Sequence, residues 1–311
     1  MKITIEAVEK RYGDVVALAG PSFEIPTGST FGVLGTNGAG KTTLFELLVG
    51  HDVPDAGDIT LGGLHAADAG PKLRQQVGYL PEQVGFPPLL SGREVLTVHA
   101  RARQLGPERD DRVAEVLETV GLTEAADRKI AGYSNGMRGR LGLAAALLAE
   151  PPVLVLDEPT AGLDPRGVET FHRLIERVST ETNATVVVSS HVLSEVERLC
   201  DSVAILHEGT LCAAGSVDEL AMETDVQSNI TLRPVDDAAE RLWDVLGRYG
   251  SVNEQGDRLV LTCPGERLLE LLGELANADV DGIEVSEPGL DTAFHAAIDD
   301  TVDGSSGVAD V

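Results

Sequence analysis

Gly35-Thr36-Asn37-Gly38-Ala39-Gly40-Lys41-Thr42-Thr43 decides how this chain is read. The apolar run at 30–34 is expected to be a buried strand and residues 44–49 continue as a helix, so the glycines fall on a strand-to-helix turn. A polyphosphate needs many donors at close range, and small residues opening a helix turn several backbone N–H groups toward one point. The stretch therefore reads as a phosphate cradle made by Gly35, Asn37, Gly38, Ala39, Gly40 and Thr43. In it Lys41 brings a mobile positive charge to β- and γ-phosphates, and the Thr42 hydroxyl takes one position on Mg²⁺. The plainer reading is a glycine-rich turn with no ligand.

The chain of 311 residues is long enough for one sizeable core and a second, smaller one. Its apolar fraction of 42% and mean hydropathy of +0.02 are those of a globular protein. The longest apolar stretch, 141–156, is interrupted by Glu150-Pro151-Pro152, and Met1-Lys2-Ile3-Thr4-Ile5-Glu6 lacks the apolar core of a signal peptide. A cytoplasmic location is expected. Cys200, Cys212 and Cys263 show no metal-ligand spacing, and their odd number argues against a disulfide framework. Acids number 51 against 24 bases, mostly arginine, for a net charge of −27. Such a surface repels phosphate backbones unless salt screens it, so no nucleic-acid partner is expected. The excess reads as adaptation to a high-salt cytosol or as an ordinary acidic surface, and thermal unfolding against KCl concentration separates the two.

Upstream of the cradle, short β-prone runs at 3–8, 15–18 and 22–25 alternate with turns. Tyr12 is the aromatic placed before the loop, able to stack on a purine or to serve as core. After the loop come a strand at 58–61, a short helix at 71–77 and a strand entering Gly78-Tyr79-Leu80-Pro81-Glu82-Gln83. Ser91-Gly92-Arg93-Glu94 is a capping box, and helices are expected at 94–105, 108–120 and 135–148. An all-helical insert at about 83–150 suggests a subdomain that moves as a unit. The run Val153-Leu154-Val155-Leu156 fits a strand buried on both faces, and it ends in Asp157-Glu158. Asp157 would hold Mg²⁺ while Glu158 polarises the water that attacks a γ-phosphate, unless the pair is a helix cap. A further buried strand at 184–188 leads to Ser189-Ser190-His191, which puts a histidine at the carboxyl edge where open α/β sheets bind ligands.

With these motifs in this order the chain resembles the nucleotide-binding domain of an ABC (ATP-binding cassette) ATPase, over about residues 2–220. Tyr133-Ser134-Asn135-Gly136-Met137 is similar to the family's Leu-Ser-Gly-Gly-Gln signature, and Ala161-Gly162-Leu163-Asp164 to its D-loop. The resemblance implies a P-loop α/β fold with a helical subdomain, binding ATP with Mg²⁺ and hydrolysing it. It further implies a sandwich of two such subunits, in which Ser134 and Gly136 act on a nucleotide held by Lys41 of the second subunit. Asp164 would then help hold that interface, His191 would contact the γ-phosphate, and Tyr12 would stack on adenine. The family's Q-loop glutamine falls on Glu82 rather than Gln83, placing Glu82 beside Thr42 and Asp157 as a metal ligand. Asn135 and Met137 replace signature residues in the manner of exporter-type, antibiotic-resistance-like cassettes whose membrane partner is a separate permease subunit.

Beyond residue 222 the chain changes character. Strands are expected at 230–232, 258–262 and 282–285, and helices at 237–246 and 266–275, an order that suits a small α+β domain of ferredoxin-like type over 223–300. This piece has either a regulatory or a purely structural part to play. Residues 287–294 resemble the segment closing many exporter-type subunits, and the acidic tail 301–311 is expected to be disordered. The reading reached is an ATPase that powers a transporter, most simply a drug, lipid or polysaccharide exporter, from the cytoplasmic face of the membrane. Phe86-Pro87-Pro88-Leu89-Leu90 would offer the apolar surface for docking, or else belongs to the helical core. The alternative is a soluble cassette acting on ribosomes, DNA repair or cofactor assembly.

Overall fold

Parallel strands covered on both faces have no polar side, and β4 (Thr30–Leu34), β8 (Val153–Leu156) and β9 (Thr185–Ser190) are buried at every position. In the computed structural model the described residues are 1–223, 227–235, 239–256, 258–264, 267–275, 278, 280–286, 290, 294 and 298. With β7 (Val77–Leu80), β10 (Ser202–His207) and β11 (Thr210–Ser216) these strands make a six-stranded sheet in the order β11-β10-β4-β9-β8-β7, parallel from β10 to β7. Alternation along each strand sorts its side chains between two apolar clusters. Leu154, Leu156, Val186 and Val188 join one, and Val153, Val155 and Val187 join the other.

The second of these clusters lies against an antiparallel sheet. Its long strand β1 (Ile3–Tyr12) pairs with β2 (Val15–Ala19), β3 (Phe23–Ile25) and β5 (Ala56–Leu61), and β6 (Leu64–His65) extends β5. Ile3, Ile5, Leu18 and Ile59 are buried there with Leu44, Phe45, Leu47 and Leu48 of α1 (Lys41–Leu48). Burial of each such aliphatic side chain stabilises by about 1.5–3 kcal/mol, so α1 is anchored along its length and its first turn is a fixed feature of the fold. Helix α2 (Ala66–Gln76) is kinked at Gly70, just before Pro71.

The first cluster takes in α3 (Gly92–Ala102), α4 (Arg109–Thr119) and α5 (Asn135–Leu147). The Ser91 hydroxyl accepts from the Glu94 amide at 3.2 Å while the Ser91 amide donates to Glu94 at 2.7 Å, completing the capping box. Val95, Leu96, Val116, Leu117 and Leu141 share one continuous apolar cluster with Leu80, Leu154 and Leu156, so the helical insert has no core separate from the sheet. Phe86 and Leu90 pack against this cluster, whereas Leu89 stands 73% exposed. Two helices and a strand pair lie where the sequence reading assigned nothing. Helix α6 (Pro165–Thr182) buries Phe171, Leu174, Ile175 and Val178 at helical spacing. Helix α7 (Leu193–Leu199) follows β9, and β10 and β11 complete the sheet.

The chain divides into units Met1–Gly215 and Ser216–Val311, a division ahead of α8 (Val217–Glu223), where the sequence boundary had been set after residue 222. The second unit runs β12 (Gln227–Pro234), α9 (Ala239–Leu246), β13 (Ser251–Gln255), β14 (Arg258–Pro264), α10 (Leu268–Leu275) and β15 (Val280–Ser286). Its sheet order is β13-β14-β12-β15, antiparallel throughout, which is the β-α-β-β-α-β ferredoxin-like arrangement. Ile230, Leu232, Leu259 and Leu261 form its core with Leu242, Leu246, Leu271 and Leu275 of the two helices. The tail 301–311 lies outside the described residues, as do 287–289 and 291–293 of the resemblance at 287–294.

Candidate functional site

Three chain segments leave the carboxyl edge of the parallel sheet side by side, as β4 gives way to the glycine loop, β8 to Asp157-Glu158 and β9 to His191. Two of the loop glycines are forced by neighbours. A Cβ on Gly35 would lie 2.5 Å from the Leu206 carbonyl oxygen, and one on Gly40, whose φ is 101°, would lie 2.5 Å from that of Ala17. The loop thus opens α1 with its backbone close to β10 and β2, leaving the amides of the first turn free of helical partners.

Lys41 is buried, and its ammonium donates to the Gly35 carbonyl at 2.7 Å and the Thr36 carbonyl at 3.3 Å. It also lies 3.2 Å from Glu158 Oε1. The other Glu158 oxygen is 2.8 Å from His191 Nδ1, so one carboxylate bridges the cradle cation and the histidine. Glu158 has a φ of 45°, in the left-handed region that side chains avoid, and this backbone turn aims its carboxylate across the edge of the sheet. A cavity of about 480 Å³ joins Asn37, Lys41, Thr42, Glu82, Glu158 and His191.

Asp157 is almost fully buried at the end of β8. Its Oδ1 accepts from the Ser189 hydroxyl at 2.6 Å, while Oδ2 has no hydrogen-bond partner. Burial pushes its carboxyl above the usual carboxylate range, opposed by the nearby Ser189 and Thr42 hydroxyls. A buried acceptor left open beside a threonine hydroxyl and the glycine loop has the chemistry of a cation site. Among the described residues no three His, Cys, Asp or Glu side chains gather into a metal cage, so a cation there would need ligands from outside the protein. Magnesium binds in this way, through one or two protein groups plus phosphates and water.

Ser189 was not singled out in the sequence. Its hydroxyl donates to Asp157 and accepts from the Glu158 amide at 2.8 Å, fixing both acids. The parallel register that pairs Leu156 with Val188 places it beside them, and the available signal was a polar residue closing an apolar strand.

Tyr12 stands 45% exposed, its hydroxyl donating to Asp52 at 2.9 Å and the Lys10 ammonium lying 5.3 Å from its ring centroid. Burial, then the Asp52 carboxylate, push its phenol up to about 12, and Thr43 lies beside the same hydroxyl. Tyr12 itself does not line the cavity; its strand partner Val15 does, with Val16 and Ala17.

The signature residues are elsewhere. Ser134 caps α5 by accepting from the Met137 amide at 3.2 Å, and Asp164 caps α6 by accepting from the Gly167 amide at 2.7 Å. Ser134, Gly136, Asp164, Arg140 and Arg166 line a second cavity of about 510 Å³, to which Lys41, Glu158 and His191 do not contribute. Asn135 lines a smaller one with Glu82 and Glu158. The acidic pair, glycine loop and histidine are therefore brought together, with Ala161 of the D-loop beside them, whereas Ser134, Gly136 and Asp164 line the other cavity. Among the described residues no helix is long and apolar enough to cross a membrane.

Residues 18–161 match the family described as ABC transporter. The chain is 36% identical to the daunorubicin resistance ATP-binding protein DrrA3 of Streptomyces coeruleorubidus, over 96% of each chain. It is 38% identical to the linearmycin resistance ATP-binding protein LnrL of Bacillus subtilis (strain 168), over 69% of each. A solved dimeric bacterial ABC transporter cassette superposes with a TM-score of 0.64 at 26% identity, over 69% of this chain and 98% of that one.

Proposed function

Because the chain belongs to the ABC transporter family, as an ATP-binding and ATP-hydrolysing subunit, we propose that it drives an exporter whose membrane-spanning subunits are separate chains. Its cargo is of drug, lipid or polysaccharide type, in keeping with relatives named for resistance to daunorubicin and linearmycin. It works as a dimer, with a second identical chain, on the cytoplasmic face of the membrane. The observation that carries this reading is the Lys41–Glu158–His191 chain of contacts at the mouth of the glycine loop, with the signature in a different cavity. Each chain holds two unlike halves of a site, and a two-fold pairing that faces one half with the other completes both.

In this mechanism the amides of the loop and α1 cradle the phosphates, and Lys41 exchanges its carbonyl and Glu158 contacts for β- and γ-oxygens. Glu158, released from Lys41, accepts a proton from the attacking water, and His191 holds the carboxylate and the γ-phosphate in line. Thr42 and Asp157 Oδ2 would hold Mg²⁺, which when bound neutralises charge developing on the phosphates, with Glu82 at the cavity rim. Ser134 and Gly136, at the N-terminus of α5, face the γ-phosphate of the partner's nucleotide, and Asp164 lies at the contact. Tyr12 flanks the base.

The test is affinity purification of tagged Glu158→Gln protein from gently solubilised membranes at native salt with ATP and Mg²⁺. This variant keeps ATP binding and loses nearly all turnover. Recovery of a multi-spanning membrane protein at similar stoichiometry is expected. Recovery of only ribosomes, nucleic acid or soluble partners overturns the proposal in favour of a soluble cassette.

A further inference from the structure

A partly buried carboxylate outside the proposed site, its side chain 14% exposed, touches both segments that build it. Glu195, in the first turn of α7, accepts from the Thr160 hydroxyl at 2.7 Å and the Ser190 hydroxyl at 3.1 Å, both on Oε2. Thr160 follows Glu158 by two positions and Ser190 immediately precedes His191. Thr160 and Ser190 are themselves buried, and Ser190 Oγ also accepts from the Val192 amide at 3.0 Å, which turns the chain just past His191.

We propose that Glu195 is a positioning residue for ATP hydrolysis, a clamp whose single oxygen holds the Glu158 loop and the His191 loop at the separation that their 2.8 Å contact requires. It touches no reacting atom. Its neighbours explain why the hydroxyls have this oxygen to themselves. The nearest cationic candidate is His172 of α6, whose Nε2 lies 4.0 Å from Oε1 and whose two ring nitrogens have no hydrogen-bond partner. Burial holds the His172 imidazole below its ordinary value, opposed by Glu195, so the ring is neutral at physiological pH and makes no strong ion pair. Arg198, one turn along α7, is instead paired with Glu169 of α6 at 2.6 Å. Glu195 thus receives neutral O–H donors, and what it fixes is where Thr160 and Ser190 sit. A carboxylate partly withdrawn from water costs some desolvation, and an energetic return from satisfied hydroxyls alone is small. A gain in the geometry of the neighbouring site accounts for it.

The inference rests on ATP hydrolysis at Glu158, and its test separates the two. Glu195→Ala is assayed for kcat under saturating ATP and for nucleotide affinity with a fluorescent ATP analogue, alongside wild type, Glu195→Gln and thermal melting. The expected result is a kcat at least tenfold lower with affinity within twofold of wild type. Glu195→Gln, which keeps an oxygen for both hydroxyls, recovers most of the loss. A purely structural role instead lowers the melting point and affinity together with kcat, and that outcome overturns the proposal, as does wild-type kcat in Glu195→Ala. Should Glu195→Ala fail to fold, Thr160→Val and Ser190→Ala each remove one arm, and wild-type kcat in both refutes the clamp. An inactive wild type would sink the hydrolysis reading itself.

Discussion

Replacing Ser189 by alanine deletes two hydrogen bonds at once in a place water does not reach. Ser189 has no exposed surface, its hydroxyl donates to Asp157 at 2.6 Å, and it accepts from the Glu158 amide at 2.8 Å. A short bond to a carboxylate contributes roughly 1.5–3 kcal/mol, and a buried amide left without an acceptor costs about 1–3 kcal/mol. The two losses share one residue and do not simply add. Asp157, already held toward its neutral form by burial, limits its own share by taking up a proton. A net loss of about 3 kcal/mol follows. For a folding unit of this size each kcal/mol shifts the midpoint by about 2–4 °C, so Ser189→Ala should melt about 9 °C below wild type. The assay is thermal unfolding without nucleotide, with Ser179→Ala as control, since the Ser179 hydroxyl makes an exposed bond to the Glu176 carbonyl of its own helix and its loss should shift the midpoint by less than about 2 °C. If Ser189→Ala melts with the control, Ser189 does not hold the acidic pair, and Asp157 owes its position to the strand alone.

Other outcomes follow from the same geometry. Gly35→Ala sets a methyl 2.5 Å from the Leu206 carbonyl, against rigid backbone, and should cost about 1–3 kcal/mol and remove nucleotide binding, read by melting and by binding of a fluorescent nucleotide. Tyr12→Ala should weaken ATP binding by about 1–3 kcal/mol, while Tyr12→Phe, which loses the Asp52 bond but keeps the ring, stays near wild type; equal losses in both would remove the ring from the site. Because the folded Asp157 pKa is raised, the nucleotide-free protein binds that proton more tightly than the unfolded chain. Its contribution to stability is present at acid pH and is lost as pH rises through the raised value. Magnesium-supported ATP binding runs the other way, weakening as pH falls through that value, and calorimetric titration across pH 4–8 (roughly the range over which carboxyl and imidazole groups change charge) checks the sign.

What the sequence disclosed and what it withheld divide along physical lines. The glycine turn was legible because its geometry is local: glycines between a buried strand and a helix shape the backbone of one turn, and Lys41 and Thr42 open the helix after it. The pair Asp157-Glu158 was legible because an apolar strand ending in two acids has few structural uses. Ser189 and Glu195 were not, since Ser189 reaches Glu158 across 31 residues and Glu195 reaches Thr160 across 35, contacts brought in by strand pairing and by the return of α7. Helix α6 went unread although Asp164 and Pro165 together are a helix start. Strand β13 also went unread: it is an edge strand in which Val252 packs against the core, so no alternation marked it.

If Glu158 is the base of the proposed mechanism, its left-handed backbone ties the durability of this protein to its work. A side chain at such a φ costs of order 1 kcal/mol that glycine would not incur. Under selection for thermal robustness alone, this position would therefore drift toward glycine and the enzyme would fall silent as it grew sturdier. Glutamate persists at this turn only while turnover is demanded of the chain, and a library screened for folding without activity should lose it early.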